Sequence, residues 1–191
     1  MDEKRPLGPD DAVLVVDVQN DFCPGGALPV DRGDEVVPIL NRWVREAERA
    51  GALVVATRDW HPEHHVSFHD RGGPWPPHCI QGTWGAELHP DLELPPGTPI
   101  LHKADEPDKE AYSAFDATGL DELLRERGVR RVFVGGLAQD VCVRATVLHA
   151  LQMGLETHLL VDATRPVDTE AGARTLRELE EKGVRLHRGG P

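Results

Sequence analysis

Continuous apolar runs alternate with amphipathic segments along the chain. Ala12-Val13-Leu14-Val15-Val16-Asp17 shows no polar alternation, the pattern of a central parallel strand covered on both faces. Residues 34–50 place Val36, Val37, Leu40, Trp43, Val44 and Ala47 at helical spacing, with Gly51 as the stop. Leu53-Val54-Val55-Ala56-Thr57 predicts a second strand and Pro99-Ile100-Leu101-His102 a shorter third. Thr118 and Asp121 open a helix carrying Leu120, Leu123 and Leu124, which Gly128 ends. Val129 to Val134 reads as a strand that closes in two glycines and a short turn. The helix after it runs to Gly154, with Val141, Ala145, Leu148 and Gln152 near one face. Thr157 to Val161 is a further strand, Asp168 begins a last helix, and Val184 to Leu186 is an edge strand. This alternation predicts one α/β domain over residues 1–191: a mostly parallel, six-stranded sheet in three α/β/α layers, Rossmann-like, with right-handed crossovers.

Residues 59–98 break the rhythm. They are rich in His, Pro, Gly and Trp, and six of the ten histidines fall between His61 and His89. An irregular insert of that length in a compact domain is usually functional. It leaves the carboxyl end of the second strand, where ligands bind in open parallel sheets. In an extended chain Asp59 and His61 point to one side and can address one ion, with His65 or His78 as a third donor. A solvated, His-rich loop is the alternative at equal weight. His64, His69 and His89 have no such geometric case and read as surface residues.

Three more polar groups stand at predicted strand ends. Cys142 falls in the first turn of the helix after Val132-Phe133-Val134. Unpaired N–H groups and the helix dipole lower a thiol's pKa there, and a thiolate can attack a carbonyl. A small cysteine packed under a helix fits that segment equally well. Asp17 ends the first strand, as a catalytic acid or as a turn cap. Lys103 follows the third, where a surface lysine is the commoner reading in isolation. Convergence of the three on one sheet edge favours chemistry.

Composition narrows the classes. With 21 basic and 33 acidic residues the net charge is −12, which argues against nucleic acid and anionic membranes as partners. Cys23, Cys79 and Cys142 are an odd set without disulfide or zinc-ribbon spacing. The polar start Met1-Asp2-Glu3-Lys4-Arg5-Pro6 leads to an apolar run too short for a signal core or a membrane span, so a cytoplasmic location is expected.

Taken together, the motifs are recognisable. Asp17-Val18-Gln19-Asn20-Asp21-Phe22, Asp59-Trp60-His61-Pro62 with His65, Trp75-Pro76-Pro77-His78-Cys79, Lys103, Glu110-Ala111-Tyr112-Ser113 and Gly136-Leu137-Ala138 with Asp140 and Cys142-Val143-Arg144-Ala145-Thr146 occur in consistent order. In this the chain resembles the nicotinamidase branch of the isochorismatase-like cysteine hydrolases, from about Ala12 to Leu186. The resemblance implies Cys142 as nucleophile, Asp17 as acid and base, and Lys103 as the completing cation. It implies an oxyanion hole from the Ala138 and Cys142 N–H groups, after a cis Leu137–Ala138 bond. It implies Phe22, Trp75 and Tyr112 as aromatic walls, and Asp59, His61 and His78 as ligands of one divalent transition metal, zinc first and iron or manganese next. His65 matches a histidine near that metal. The implied reaction is hydrolysis of nicotinamide to nicotinate and ammonia through a thioester, with pyrazinamide also accepted; a homo-oligomer is left open. Gln139 and Val141 depart from common family residues beside the nucleophile. Another cysteine amidase acting on a ureido or N-carbamoyl compound is the nearest alternative. Isochorismate hydrolysis lacks a cysteine nucleophile, and a non-catalytic binding module would not need the intact Asp17, Lys103 and Cys142 set.

Overall fold

A computed structural model describes residues 5–191. Met1 to Lys4, the polar start noted above, lie outside them. Six strands form one sheet: β1 Asp11–Val16, β2 Leu53–Asp59, β3 Ile100–Lys103, β4 Arg131–Leu137, β5 Glu156–Arg165 and β6 Arg185–His187. Their order is β3-β2-β1-β4-β5-β6, and every pairing is parallel. The helices are α1 Val36–Ala50, α2 Leu120–Glu126, α3 Arg144–Gln152 and α4 Thr169–Glu181.

Strand period explains the layers. On β1, Val13 and Val15 join α1 residues Leu40, Trp43 and Val44 in one buried cluster. Ala12, Leu14 and Val16 face the other way, onto Leu120 and Leu124 of α2, Val147 of α3 and Leu179 of α4. All six β1 residues are buried, which is why the strand reads as an unbroken apolar run. Each large aliphatic side chain so buried contributes about 1.5–3 kcal/mol. No helix among the described residues is long and apolar enough to cross a membrane.

Several sequence expectations are refined. Gly135 and Gly136 do not close β4; they belong to it. A Cβ on Gly136, at φ +120°, would sit 2.0 Å from the Val16 carbonyl oxygen, and one on Gly135 would sit 2.8 Å from Leu40 Cδ2. Glycine is required there for close approach to β1 and α1, at a register shift in the β4–β5 pairing, and not for a turn. Past β4, residues Gln139–Val143 form one π-helical turn before α3 starts at Arg144. From Cys142 to Gln152 the buried residues are Cys142, Val143, Thr146, Val147 and Ala150; of the expected face, Val141 and Leu148 pack partly on the core, Ala145 is half-buried and Gln152 is exposed. The wider π turn shifts the phase of every residue after it. Helix α2 begins after Gly119, at φ +77°, with Thr118 Oγ1 receiving only the Leu120 N–H at 3.3 Å, so the expected Thr118–Asp121 capping box does not form. Asp168 does cap α4, accepting the Ala171 N–H at 2.7 Å.

Candidate active site

The polar groups come from the carboxyl ends of four neighbouring strands. Asp17 follows β1 directly with φ +50°, and its N–H donates to the Thr57 carbonyl at 3.1 Å. The Thr57 hydroxyl donates to Asp17 Oδ1 at 2.8 Å. Asp59 ends β2 in register with Lys103, the last residue of β3. Cys142 comes from the π turn beyond β4. Lys103 is fully buried. Its ammonium lies 2.8 Å from Asp17 Oδ2 and 3.0 Å from Asp59 Oδ1, and donates to Cys142 Sγ at 3.3 Å and to the Tyr112 carbonyl at 2.9 Å.

These contacts settle the charges. Burial alone would strip the proton from Lys103, but Asp17 and Asp59 outweigh it and hold the ammonium well above its ordinary range. Burial drives Asp17 up to about 6, with Lys103 opposing and Asp59 reinforcing. Burial also pushes on Asp59, yet Lys103 and then His61 win and keep its carboxyl below the usual carboxylate range. The Cys142 thiol is pushed well up by burial, against Lys103 and with Asp17 and Asp59. The helix-start argument for a lowered thiol pKa does not prevail: burial of the sulfur is the largest influence, and Asp17 and Asp59 add to it. The thiol rests protonated next to a carboxylate able to take the proton. Asp17 Oδ2 is fully buried and, its ion pair with Lys103 aside, accepts no aligned hydrogen bond among the described residues.

A second cluster shares Asp59. Donor atoms of Asp59, His61 and His78 all lie within 4.8 Å of one another, and all three residues are buried. His61 Nδ1 bonds the Ala104 carbonyl at 3.0 Å, and His78 Nδ1 bonds the Pro76 carbonyl at 2.8 Å. A carbonyl only accepts, so each Nδ1 carries a proton and each Nε2 is left for the cluster; against burial, Asp59 raises the His61 pKa, while burial lowers that of His78. His61 Nε2 is 3.6 Å from Asp59 Oδ2. One carboxylate and two imidazoles, oriented by carbonyls behind them and deprotonated at Nε2 on ligation, fit a divalent transition metal. His65 does not join them. Its Nδ1 pairs with the Ser67 hydroxyl at 2.7 Å and its Nε2 with the Lys109 carbonyl at 2.7 Å, while its ring stacks on His61 at 4.2 Å. With both nitrogens committed it supports a ligand from behind, which corrects the expectation that it could supply a third donor. His64 and His69 are exposed and His89 half-buried, none in the cluster.

One pocket joins the two clusters. Phe22, Trp75 and Tyr112 line it with Asp59, His78, Ala138 and Cys142, and Leu28, Pro29, Val30, Val141 and Val167 complete it. Trp75 Nε1 donates to the Tyr112 hydroxyl at 3.3 Å, tying two aromatic walls together. The Leu137–Ala138 peptide is cis, as expected from the resemblance. Sequence reading missed the residues that hold this geometry. The Gln19 carboxamide clamps Asp59 from both sides, donating to its carbonyl at 2.8 Å and accepting its N–H at 2.9 Å. Asp21 accepts the Cys79 and Ala27 N–H groups at 2.8 and 2.9 Å and ties the insert to the segment that follows β1. Both lie in the Asp17–Phe22 motif, so the signal was present, but a polar residue beside a catalytic candidate does not announce a partner forty or more positions away.

Residues 11–188 match the Isochorismatase domain family. The chain belongs to the isochorismatase family. Within the family it is 37% identical to the nicotinamidase of Escherichia coli, over 94% of this chain and 95% of that one. The pyrazinamidase of Pyrococcus horikoshii, solved in complex with zinc, is 50% identical with a TM-score of 0.92, covering 95% of this chain and all of that one. PnC1 from L. infantum, solved in complex with nicotinate, is 39% identical with a TM-score of 0.89, covering 96% of each chain. Against this family background, the Lys103 ammonium lies buried between Asp17 and Cys142, and Cys142, Asp59 and His78 face one shared pocket.

Proposed function

We propose that this chain hydrolyses nicotinamide to nicotinate and ammonia through a thioester on Cys142. The observation that carries it is a pocket lined by Cys142, Asp59 and His78 together with the rings of Phe22, Trp75 and Tyr112, with the buried Lys103 ammonium bridging Asp17 and Cys142 behind it. The carboxamide reaches the thiol while a nitrogen in the same flat ring reaches the metal cluster.

The chemistry follows from the charges. Asp17 takes the Cys142 proton, and the Lys103 ammonium, already 3.3 Å from the sulfur, stabilises the thiolate. The sulfur adds to the carboxamide carbon, and the N–H groups of Ala138 and Cys142 receive the oxyanion. Protonated Asp17 returns the proton to the leaving nitrogen, ammonia departs, and the thioester remains. Asp17 then takes a proton from water, which attacks the thioester, releases nicotinate and regenerates the thiol. Phe22, Trp75 and Tyr112 hold the ring flat. A divalent ion, which we assign as zinc on the donor set and the zinc-bound relative, supplies when bound a Lewis-acidic contact for the ring nitrogen. Asp59, His61 and His78 hold it, with the 59–98 insert as the metal-binding arm of a single domain. The substrate makes it an enzyme of NAD salvage, and the net charge of −12 suits a cytoplasmic setting away from anionic membranes.

Ammonia release from nicotinamide, pyrazinamide and benzamide tests this reading. Benzamide keeps the shape but lacks the nitrogen. Its kcat/KM falls below that of nicotinamide by roughly tenfold to over a hundredfold, about 1.5–3 kcal/mol, whereas pyrazinamide is accepted. Equal rates for benzamide and nicotinamide remove the metal cluster from recognition. Activity on an N-carbamoyl amine alone moves the chain to another branch of the family.

Elemental analysis gives a separate check. Purified protein carries about one transition-metal ion per chain, and Asp59→Ala loses it. Fully active protein without such an ion sinks the assignment of Asp59, His61 and His78 as ligands.

A further inference from the structure

The pocket has two chemically different sides, and sheet order assigns them. Asp59 ends β2 and His78 lies in the insert that follows, on the β2–β3 side of β1. Val141 lies in the turn after β4, and Val167 lies between β5 and α4, on the opposite side. The first side sets Asp59 and His78 among the Trp75 and Tyr112 rings, and the second is aliphatic. Val167 is 48% exposed yet lines the pocket, which places it at the mouth.

Val167 is held there by one carboxylate. Asp140 Oδ1 accepts the Val167 N–H at 2.8 Å, and Asp140 Oδ2 accepts the Asp168 N–H at 3.2 Å. Asp140 sits two positions before Cys142 in the π turn, so it ties the β5–α4 connection to the turn that carries the thiol. Helix α4 closes on the same turn, since a Cβ on Gly172 would lie 2.8 Å from Gln139 Oε1. Asp168 itself caps α4. The mouth on this side is thus a fixed strap, 166–168, pinned to the nucleophile's own turn.

We propose that Val167 is a specificity-determining residue that screens substituents on the substrate ring, and that Asp140 is the positioning residue that sets it. This rests on the amidase reading above. In a six-membered ring with the carboxamide at Cys142 and the meta nitrogen at the metal side, the other meta carbon points to the opposite side. In nicotinamide that carbon is C5, so a 5-alkyl group projects toward Val141 and Val167. The substrate class is therefore a pyridine carboxamide with hydrogen or a very small group at C5.

The test compares kcat/KM for 5-ethylnicotinamide and nicotinamide in the metal-loaded wild type, Val167→Ala, Val167→Phe, Asp140→Ala and Asp140→Asn. Val167→Ala raises the ratio of the two by about tenfold or more, because a few carbon atoms of room decide fit in an apolar pocket. Val167→Phe lowers it. Asp140→Ala raises it in the same sense, since the strap loses both acceptors, and Asp140→Asn restores part of the discrimination through its one remaining acceptor oxygen. A merely structural role for Asp140 would change the two substrates equally. An unchanged ratio in both Val167 variants overturns the inference and leaves the amidase reading standing. A wild type that hydrolyses neither amide overturns that reading itself.

Discussion

Cys142→Ala abolishes ammonia release from nicotinamide, lowering kcat on the order of 10⁴-fold or more, while the protein stays folded. Only the sulfur forms the covalent intermediate, and no neighbouring group replaces it. The fold survives because a small, 6% exposed side chain is exchanged for a smaller one, and Lys103 keeps both carboxylate partners. Cys23→Ala and Cys79→Ala keep substantial activity. Burial and then Asp34 push the Cys23 thiol up to about 11, and burial pushes Cys79 well up. Neither lines the pocket. Cys142 has a high resting pKa too, but it alone of the three opens on the pocket and accepts a hydrogen bond from a buried ammonium. Iodoacetamide therefore inactivates by labelling Cys142. Mass spectrometry locating the label on Cys23 in inactivated enzyme would falsify the assignment.

Lys103→Ala has the second large effect, and it strikes stability as well as rate. The ammonium is the partner of two fully enclosed carboxylates. Removing one member of a buried ionic set leaves the remainder uncompensated and costs about 3–5 kcal/mol. The pH dependence gives the signature. In the wild type Asp59 sits below its ordinary pKa, so its stabilising share is present above the unfolded value of about 4 and is lost as pH falls. In the variant burial acts on both carboxyls without the cation, so Asp59 rises above its unfolded value and Asp17, already up at about 6, rises further. The penalty is then greatest at neutral pH and shrinks as acid neutralises the two groups. Denaturation of chelator-treated wild type and variant at pH 7.5 and pH 5 reads it: the Tm gap narrows at the lower pH. A gap of the same size at both values would show that lost packing dominates and lost charge compensation does not.

Much of this was legible in the chain itself. Strands buried on both faces must be apolar throughout, so β1, β2 and β4 announced themselves as runs, and α1 declared its inward face through Leu40, Trp43, Val44 and Ala47. Topology then brought Asp17, Asp59, Lys103 and Cys142 to one edge, because parallel strands in register share their carboxyl ends. The sequence by itself determined the layers and the edge, and named the polar groups that meet there. Tertiary structure decided what those groups are. The Cys142 thiol looked acidic from its place before a helix, and enclosure beside Asp17 and Asp59 reversed that, since electrostatics depends on distances through space. His65 and His78 were equivalent by spacing. Only the carbonyl behind each ring nitrogen separated them, leaving one lone pair on His78 and both His65 nitrogens engaged. Gly135 and Gly136 read as a turn until Val16 and Leu40 were seen to occupy the space a Cβ needs. In each case the deciding neighbour comes from a distant part of the chain or from atoms whose direction the spacing does not fix, and the folded packing alone places it.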